Sequence, residues 1–281
     1  MAVRQIRNGK AAGPDNIPAE ALKSDVEVTT SMLYPLFKKI CEEGQVSMDW
    51  IEGHFVKIPK NGDPSKCENY RGITLLSIPR KVFIRVLLNR MKDADRSCTD
   101  QISTLRIIAE QSVEWNSSLY INFTYYEKAF DSVDRRTLWK LLRHYGVPEK
   151  IVKIIRNSYD GLQCKVVHRG QLTDAFQVRT GVRQGCLLSP FLFLLVVDWI
   201  MRTSTSERKH GMQWTAQNQL DDLDFADDLA LLSHTHEQMQ TKTASVAAVS
   251  ASAGLSIHKG KTKVLKFKAE NSNLMAKLWN M

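Results

Sequence analysis

The sequence predicts an α+β fold built around a mainly antiparallel sheet. Three observations lead there. Helix-period segments and short apolar strands alternate without a strict βαβ rhythm. Two strand pairs are joined by short turns: "QCKVVH" and "AFQVRT" flank "RGQLTD", and "LDFADDLALLS" folds about an Asp-Asp turn. The chain has 281 residues, of which 43% are hydrophobic and 25% charged, enough to bury a sizeable core in one or two domains.

The elements follow in order. "NGKAAGPDNIPAEALK" is a turn-rich entry, with Pro18 suited to the first turn of a short helix. From Thr29 to Glu43, Met32, Leu33, Leu36, Phe37 and Ile40 recur at helical spacing, and Gly44 can end that helix. "GHFVKIPKNGD" reads as strand and turn, and "SKCENYRGITLLS" as a loop. Ser77 and Pro79 introduce a helix carrying Val82, Phe83, Val86, Leu87 and Met91. Its charges, Arg80, Lys81, Arg85, Arg90 and Lys92, suit a solvated face, or alternatively contacts to a phosphate backbone. Thr99 can cap a helix bearing Ile102, Leu105, Ala109 and Val113.

"LYINFTY" is a strand. Asp134 can cap the next helix, which bears Leu138, Leu141, Leu142 and Tyr145; Gly146 stops it and Pro148 opens another. After the hairpin, Ser189-Pro190 caps an apolar helix from Phe191 to Met201. "EQMQTKTASVAAVSASAG" is a helix ended by Gly254, and "KTKVLKF" is a basic strand.

Lys and Arg exceed Asp and Glu by 39 to 30, a net charge of +9, which suits a polyanionic partner such as nucleic acid. The five cysteines are scattered and form no C-x-x-C pair, so neither a disulfide framework nor a zinc site is indicated. The start lacks a signal-peptide core, and the longest apolar run, "FLFLLVVDWIM", is too short to span a bilayer. An intracellular protein, nuclear or cytoplasmic and off the membrane, is expected.

Three motifs carry chemistry. In "FADD", Asp227 and Asp228 are adjacent carboxylates between apolar strands. Held together at the rim of a core they repel unless a cation neutralises them, and hard oxygen donors suit Mg²⁺; the alternative is a solvated turn. In "TGVRQGCLLSP", Gly181 and Gly185 allow close backbone approach, Gln184 offers an amide, and a helix N-terminus follows. In "VKIPKNGDPSKCENYRG", Lys57, Lys60 and Arg71 could hold a triphosphate, or decorate a surface hairpin. "GLSIHKGKT" is a poor Walker A loop, with one residue too many between the glycines and a helix before it. His234-Thr235-His236 has no third ligand nearby in sequence and reads as a surface loop.

Taken in order, "GKAAGPDNIPAE", "YRGITLLS", "EKAFDSVDR", "GVRQGCLLSP", "FADDLALL" and "GLSIHKGKTK" closely resemble the reverse transcriptase domain of non-LTR (LINE-type) retrotransposons. The resemblance implies a right-hand polymerase fold: a fingers-like region over 1–115, shortened near 93–96, a palm-like region over 116–268, and a tail at 269–281 in place of most of a thumb. It implies RNA-directed DNA synthesis on an RNA template and DNA primer from deoxynucleoside triphosphates, with two Mg²⁺ ions, or Mn²⁺, activating the primer hydroxyl and stabilising pyrophosphate.

By the same resemblance, Asp227 and Asp228 match the acidic pair of the palm hairpin, with Asp227 the main metal ligand. Phe130 matches the aromatic that screens the sugar 2′ position. Gln184 and Gly185 match the loop near nucleotide and template, and Lys60 and Arg71 the residues gripping phosphates. Lys261 matches a late lysine that protonates pyrophosphate, with Lys259 and Lys263 as competitors for that role.

Two departures stand out. The family's strand end "F-x-D-Y-E-K-A-F-D" is here "FTYYEKAFD", so Tyr125 stands where the other catalytic Asp belongs. The family's "Q-x-G-F-R" segment before "RSCTDQ" is missing. A phenol stays protonated at neutral pH and cannot replace an anionic ligand. Glu127 would lie roughly 6–7 Å further along if the strand continued, and Asp131 belongs to the following turn. Severely impaired polymerase activity is the expectation. A non-catalytic nucleic-acid-binding remnant and a retroelement relic without function are the alternatives.

Overall fold

The computed structural model describes residues 2–63, 65–66, 69–91, 118–168, 170–205, 212–213, 219–220, 222–225 and 228–267. Helix α1 (Ala19–Ser24) begins behind Pro18, which occupies the N-cap rather than the first turn. Helix α2 (Val26–Glu43) starts three residues earlier than its apolar spacing predicts. The reason is Asp25, whose carboxylate accepts from the backbone N–H groups of Glu27 and Val28. Gly44 ends it in the left-handed region at φ 69°.

Strand β1 (Glu52–Pro59) pairs antiparallel with β2 (Tyr70–Leu75). The segment expected to be a loop, "YRGITL", is therefore a strand. It pairs residue for residue with β1, from His54 opposite Leu75 to Pro59 opposite Tyr70, and that ladder overrides its glycine and polar content. Helix α3 (Ile78–Met91) follows. Arg80 departs from the solvated face expected for it: it is only 3% exposed, and its guanidinium donates to the Trp50 carbonyl. Lys92 and the expected helix after Thr99 lie outside the described residues.

Strand β3 (Leu119–Tyr125) leads through a short helical turn, α4 (Ala129–Ser132), to α5 (Arg135–His144) and α6 (Glu149–Asn157). Gly146, at φ 75°, separates the last two, and Pro148 is the N-cap of α6. Strand β4 (Gln163–His168) turns tightly into β5 (Gln171–Leu172). The hairpin thus uses "QL" from the segment expected to be its turn. Strand β6 (Phe176–Gln177) then pairs with the start of β4. Helix α7 (Ser189–Ser204) carries the apolar run. Beyond it lie β7 (Met212–Gln213), β8 (Gln219–Leu220), β9 (Asp222–Phe225), β10 (Asp228–Ser233), α8 (His236–Ser252) and β11 (Lys263–Phe267). Thr235, placed in the expected surface loop, caps α8 by accepting from the Gln238 N–H.

The chain divides into two compact units that interleave in sequence. One comprises Met1–Asp93 and Arg135–Leu192, the other Ala94–Asp134 and Phe193–Met281. The division expected from motif order, at 115/116, is by contrast contiguous.

The first unit holds the sheet β2-β1-β4-β5, with β6 on β4. Within it, β1 and β4 run parallel, the exception to the antiparallel pattern. Its entry segment is tied in by Gly13: a Cβ there would lie 2.4 Å from the Leu76 carbonyl carbon. Val3, Ile6, Ala19, Leu33, Ile78 and Val82 form a buried cluster that joins the first residues to α1, α2 and α3.

The second unit holds an all-antiparallel sheet ordered β11-β3-β10-β9. Leu119, Ile121 and Thr124 of β3 and Leu229 to Ser233 of β10 are buried. Helix α8 packs on β10 and is fixed there by Lys242, a buried lysine whose ammonium donates to the Leu232 carbonyl at 2.9 Å. Gly254 ends the α8 segment at φ 79°, where an added Cβ would meet the Ser132 carbonyl oxygen at 2.7 Å.

Gly254→Ala combines left-handed strain with backbone overlap. It is expected to destabilise the protein by about 2 kcal/mol or more, read as a lower urea midpoint at unchanged m-value. An unshifted midpoint would contradict this packing.

Candidate active site

The sequence-predicted residues fall into two groups, one in each unit. In the second unit the organiser is β3, flanked by β10 and β11. Its last ladder pair with β10 sets Tyr125 opposite Asp228, followed by Thr124 opposite Leu229 and Phe123 opposite Ala230. Paired positions share one face of a sheet, so 125 and 228 are immediate cross-strand neighbours. Asp227 lies outside the described residues.

The strand does not continue in register past Tyr125. Tyr126 makes a single bridge to Ile257, Glu127 donates its N–H to the Ser256 carbonyl, and Lys128 turns the chain at φ 45°. Glu127 is consequently exposed, and Asp131 sits in α4, also exposed. Neither occupies the ladder position opposite β10.

The "SIHKGK" segment closes the other side of the same strand end. The His258 N–H donates to the Tyr125 carbonyl at 2.7 Å, and the Lys261 N–H donates to the His258 carbonyl at 3.1 Å. Lys261 therefore lies in a turn pinned to the end of β3, with its side chain exposed. Lys259 is in the same turn, whereas Lys263 is already in β11, opposite Phe123. Phe130, in α4, is half-buried and stacks on Phe193 with ring centroids 5.0 Å apart at 19°. Tyr126 meets the same ring edge-on.

In the first unit, Lys60 and Arg71 come to one end of the β1–β2 hairpin. Arg71 pairs with Ile58, and the Lys60 N–H donates to the Asn69 carbonyl. Arg71 and Lys60 are exposed, and Lys57 lies over the Tyr70 ring at 5.9 Å. The Gln184–Gly185 loop docks on the same strand β2. The Thr74 N–H donates to the Gln184 carbonyl at 2.8 Å. Gly185 adopts φ 92°, and a Cβ on it would fall 2.7 Å from Ile73 Cγ2 and 2.9 Å from the Thr74 oxygen. Four of the sequence-predicted residues thus meet along β2.

What holds that loop is a set of arginines missed by motif reading. The Arg135 guanidinium donates to four carbonyls, those of Gly181, Val178 and Thr180 at 2.9 Å and Tyr159 at 3.3 Å. Arg183, 4% exposed, donates to the carbonyls of Ser158 and Ile51. Both guanidinium groups lie over the Tyr159 ring, at 5.0 and 5.1 Å. Burial pushes the Tyr159 hydroxyl well above its ordinary range, so it stays neutral and adds no charge to the pocket. Burial likewise pulls Arg80 and Arg135 below the usual guanidinium value. The signal available in sequence was arginine placed directly before apolar helical spacing and inside a Gly-x-x-x-Gly loop, which motif matching credits to Gln184 alone.

Among the described residues no group of three or more His, Cys, Asp and Glu side chains gathers to hold a metal ion. No helix among them is long and apolar enough to cross a membrane.

An antiparallel sheet that sets Tyr125 opposite Asp228 in one unit, and a strand-and-loop arrangement with exposed cations in the other, fit a polymerase of the right-hand class. The model of the family described as reverse transcriptase (RNA-dependent DNA polymerase) matches residues 58–273, and the chain belongs to that family. Within it, the chain is a reverse transcriptase domain of the non-LTR retrotransposon type. It is 26% identical to the Pol polyprotein of the type-2 retrotransposable element R2DM of Drosophila melanogaster, over 85% of this chain and 23% of the relative. It is 29% identical to that of a type-1 R2 element of Nasonia vitripennis, over 85% of this chain and 24% of the relative. The chain spans about a quarter of the length of these curated relatives. In fold it is similar to apo telomerase from Candida Tropicalis truncated from the C-terminal domain, with TM-score 0.57 and 16% identity, covering 87% of this chain and 57% of that one.

Arg135→Lys removes the fork that reaches four carbonyls at once. It is expected to destabilise the protein by about 2 kcal/mol, measured by urea unfolding; a change below about 0.5 kcal/mol would contradict the role given to Arg135.

Proposed function

We propose that this domain is built to add deoxynucleotides to a primer on an RNA template, and that this chain is severely impaired in doing so because Tyr125 takes the place of a metal-binding carboxylate. The observation that carries the reading is the ladder pair of Tyr125 with Asp228. Reverse transcriptases use divalent metal ions. A pair of Mg²⁺ ions supplies activation of the primer hydroxyl and charge neutralisation of the leaving pyrophosphate. Such a pair, roughly 3.5–4 Å apart, needs anionic donors from both strands. Position 125 offers a phenol, and Glu127 and Asp131 have turned away from the ladder. On this reading the donors of this chain do not fit two ions. Designed sites tolerate only about 0.5 Å of misplacement, which makes rescue by a neighbour a poor substitute.

The remaining residues retain roles in binding. Lys60 and Arg71, at the hairpin end, would contact the triphosphate as point charge and fork. Gln184 and Gly185, held against β2, would bound the nucleotide and template. Phe130, its ring orientation set by stacking on Phe193, would screen the sugar 2′ position. Lys261, in the turn hung from the Tyr125 carbonyl, is the candidate proton donor to pyrophosphate. RNA template, DNA primer and deoxynucleoside triphosphates are the partners this reading requires.

Primer extension on a poly(rA) template with Mg²⁺ or Mn²⁺ tests it. The unaltered chain is expected near background. Tyr125→Asp is expected to raise the rate by a factor on the order of 10² or more, and adding Asp227→Ala to abolish the gain. Robust extension by the unaltered chain that disappears in Asp227→Ala would overturn the proposal.

A further inference from the structure

A second feature of the first unit is strongly cationic and plays no part in the roles above. A groove of about 490 Å³ runs between α5, α6 and the segment Gln177–Arg179. Its lining includes Arg135, Arg136, Lys140, Arg143, Arg156 and Arg179, against the single carboxylate of Asp160. The six differ in how far they are already satisfied. Arg143 forks onto Glu149 at 2.6 and 2.7 Å, and Arg156 faces Asp160 at 3.6 Å. Arg135 is committed to backbone carbonyls, which take its hydrogen bonds and leave its charge uncancelled at the floor. Arg179 donates only to the neutral Gln177 amide, at 3.2 Å. Arg136 and Lys140 are exposed and have no ion-pair or hydrogen-bond partner among the described residues.

That arrangement is costly for the isolated protein. Arg136 and Lys140 stand at i and i+4, on one face of α5, where like charges repel. Arg179 adds a third free charge from a separate segment. An anionic ligand lying in the groove would relieve all three. The volume is that of a drug-sized pocket, larger than one phosphate fills. The cations are also spread over two chain segments, so they match several phosphates in series better than a single one. Trp139 and Tyr159 are buried beneath, which leaves charge rather than ring faces as the means of recognition.

The groove is also far from Lys60, a candidate phosphate contact of its own unit. Gly161, in the groove lining, lies two residues before Gln163, the first residue of β4, which pairs with Glu52 at the start of β1 and with Gln177. Lys60 follows the opposite end of β1, about 26 Å of extended strand away. We infer that this groove is a second nucleic-acid site, one that holds the phosphodiester backbone of a strand at a distance from Lys60 and Arg71 and without reading its bases.

The inference concerns binding alone and needs no carboxylate at position 125, so it can fail or hold independently of the polymerase reading. The triple variant Arg136→Gln/Lys140→Gln/Arg179→Gln is compared with the unaltered chain and with Lys60→Gln/Arg71→Gln. Anisotropy of a labelled single-stranded RNA and of a labelled DNA duplex is followed across salt. For RNA, the triple variant is expected to bind about 10- to 50-fold more weakly near 0.15 M salt. Its log K against log[salt] slope should be shallower by about 2, at roughly 0.7 per lost phosphate contact. The duplex arm, at roughly 0.9 per contact, tells which strand type the groove prefers. The charge-retaining Arg136→Lys/Lys140→Arg/Arg179→Lys should bind as the unaltered chain does. Photocrosslinking of 4-thiouridine RNA to the unaltered chain, mapped to peptides carrying 136–143 or 179, settles the point if the neutral variant fails to fold. Unchanged affinity and slope for both nucleic acids, crosslinks confined to other segments, or groove-dependent binding of phosphatidylserine vesicles in place of nucleic acid would each overturn the inference.

Discussion

The antiparallel ladder between β3 and β10 is the constraint on which the candidate catalytic half depends. The register runs through six ladder pairs, from Tyr125 opposite Asp228 to Tyr120 opposite Ser233, and Leu119 and Ile121 share one buried face of β3. A slip of β3 by one residue would turn Leu119 and Ile121 to the opposite face. With that register, Tyr125 has no freedom to be anywhere but opposite Asp228. The third strand, β11, pairs with β3 on its other edge, and its preceding turn hangs from the Tyr125 carbonyl through His258. One strand end therefore gathers the start of β10 at Asp228, the turn with Lys261 and the α4 turn with Phe130. On the proposed function, a single side chain at that end decides the chemistry without disturbing the scaffold, because Tyr125 is itself only half-buried and its ladder bonds are made by the backbone.

In the first unit the equivalent constraint is carried by arginine. Loops ordinarily satisfy their carbonyls with water. Here Arg135 takes the carbonyls of Val178, Thr180 and Gly181 from one side, while Arg183 anchors the loop from within to Ser158 and Ile51. The Gln184–Gly185 segment is thereby pressed onto β2 closely enough that no side chain fits at 185. Buried guanidinium groups without carboxylate partners are expensive. Here the compensation comes from backbone dipoles and the face of Tyr159. The same device leaves positive potential at the floor of the α5–α6 groove, so a clamp that shapes one candidate site contributes the field of another.

Much of this was legible in the sequence. The strand "LYINFTY", the antiparallel pair β9–β10, the helices ended by Gly44, Gly146 and Gly254, and the antiparallel sheet of the second unit all follow from apolar period and turn residues. The end of that strand at Tyr125 follows from the same apolar run. What escaped is non-local. "YRGITL" reads as a loop because its strand character comes from pairing with β1, not from its own residues. Arg80 reads as a surface charge because its partner, the Trp50 carbonyl, is thirty residues away. Asp25 was hidden because a cap requires only one oxygen in the right place, and the apolar pattern begins later. The role of Arg135 was illegible for the same reason as that of Arg80: its acceptors are carbonyls, which every residue has.

On the proposed function, the strand end carrying Tyr125 lacks a donor needed for divalent metal. Mn²⁺ binding by electron paramagnetic resonance, titrated into the unaltered chain and into Tyr125→Asp, tests this without requiring turnover. The account predicts little bound Mn²⁺ in the unaltered chain, and a gain of at least tenfold in affinity in Tyr125→Asp that is lost again on Asp227→Ala. Equal, Asp227-dependent Mn²⁺ binding by the unaltered chain and Tyr125→Asp would contradict it.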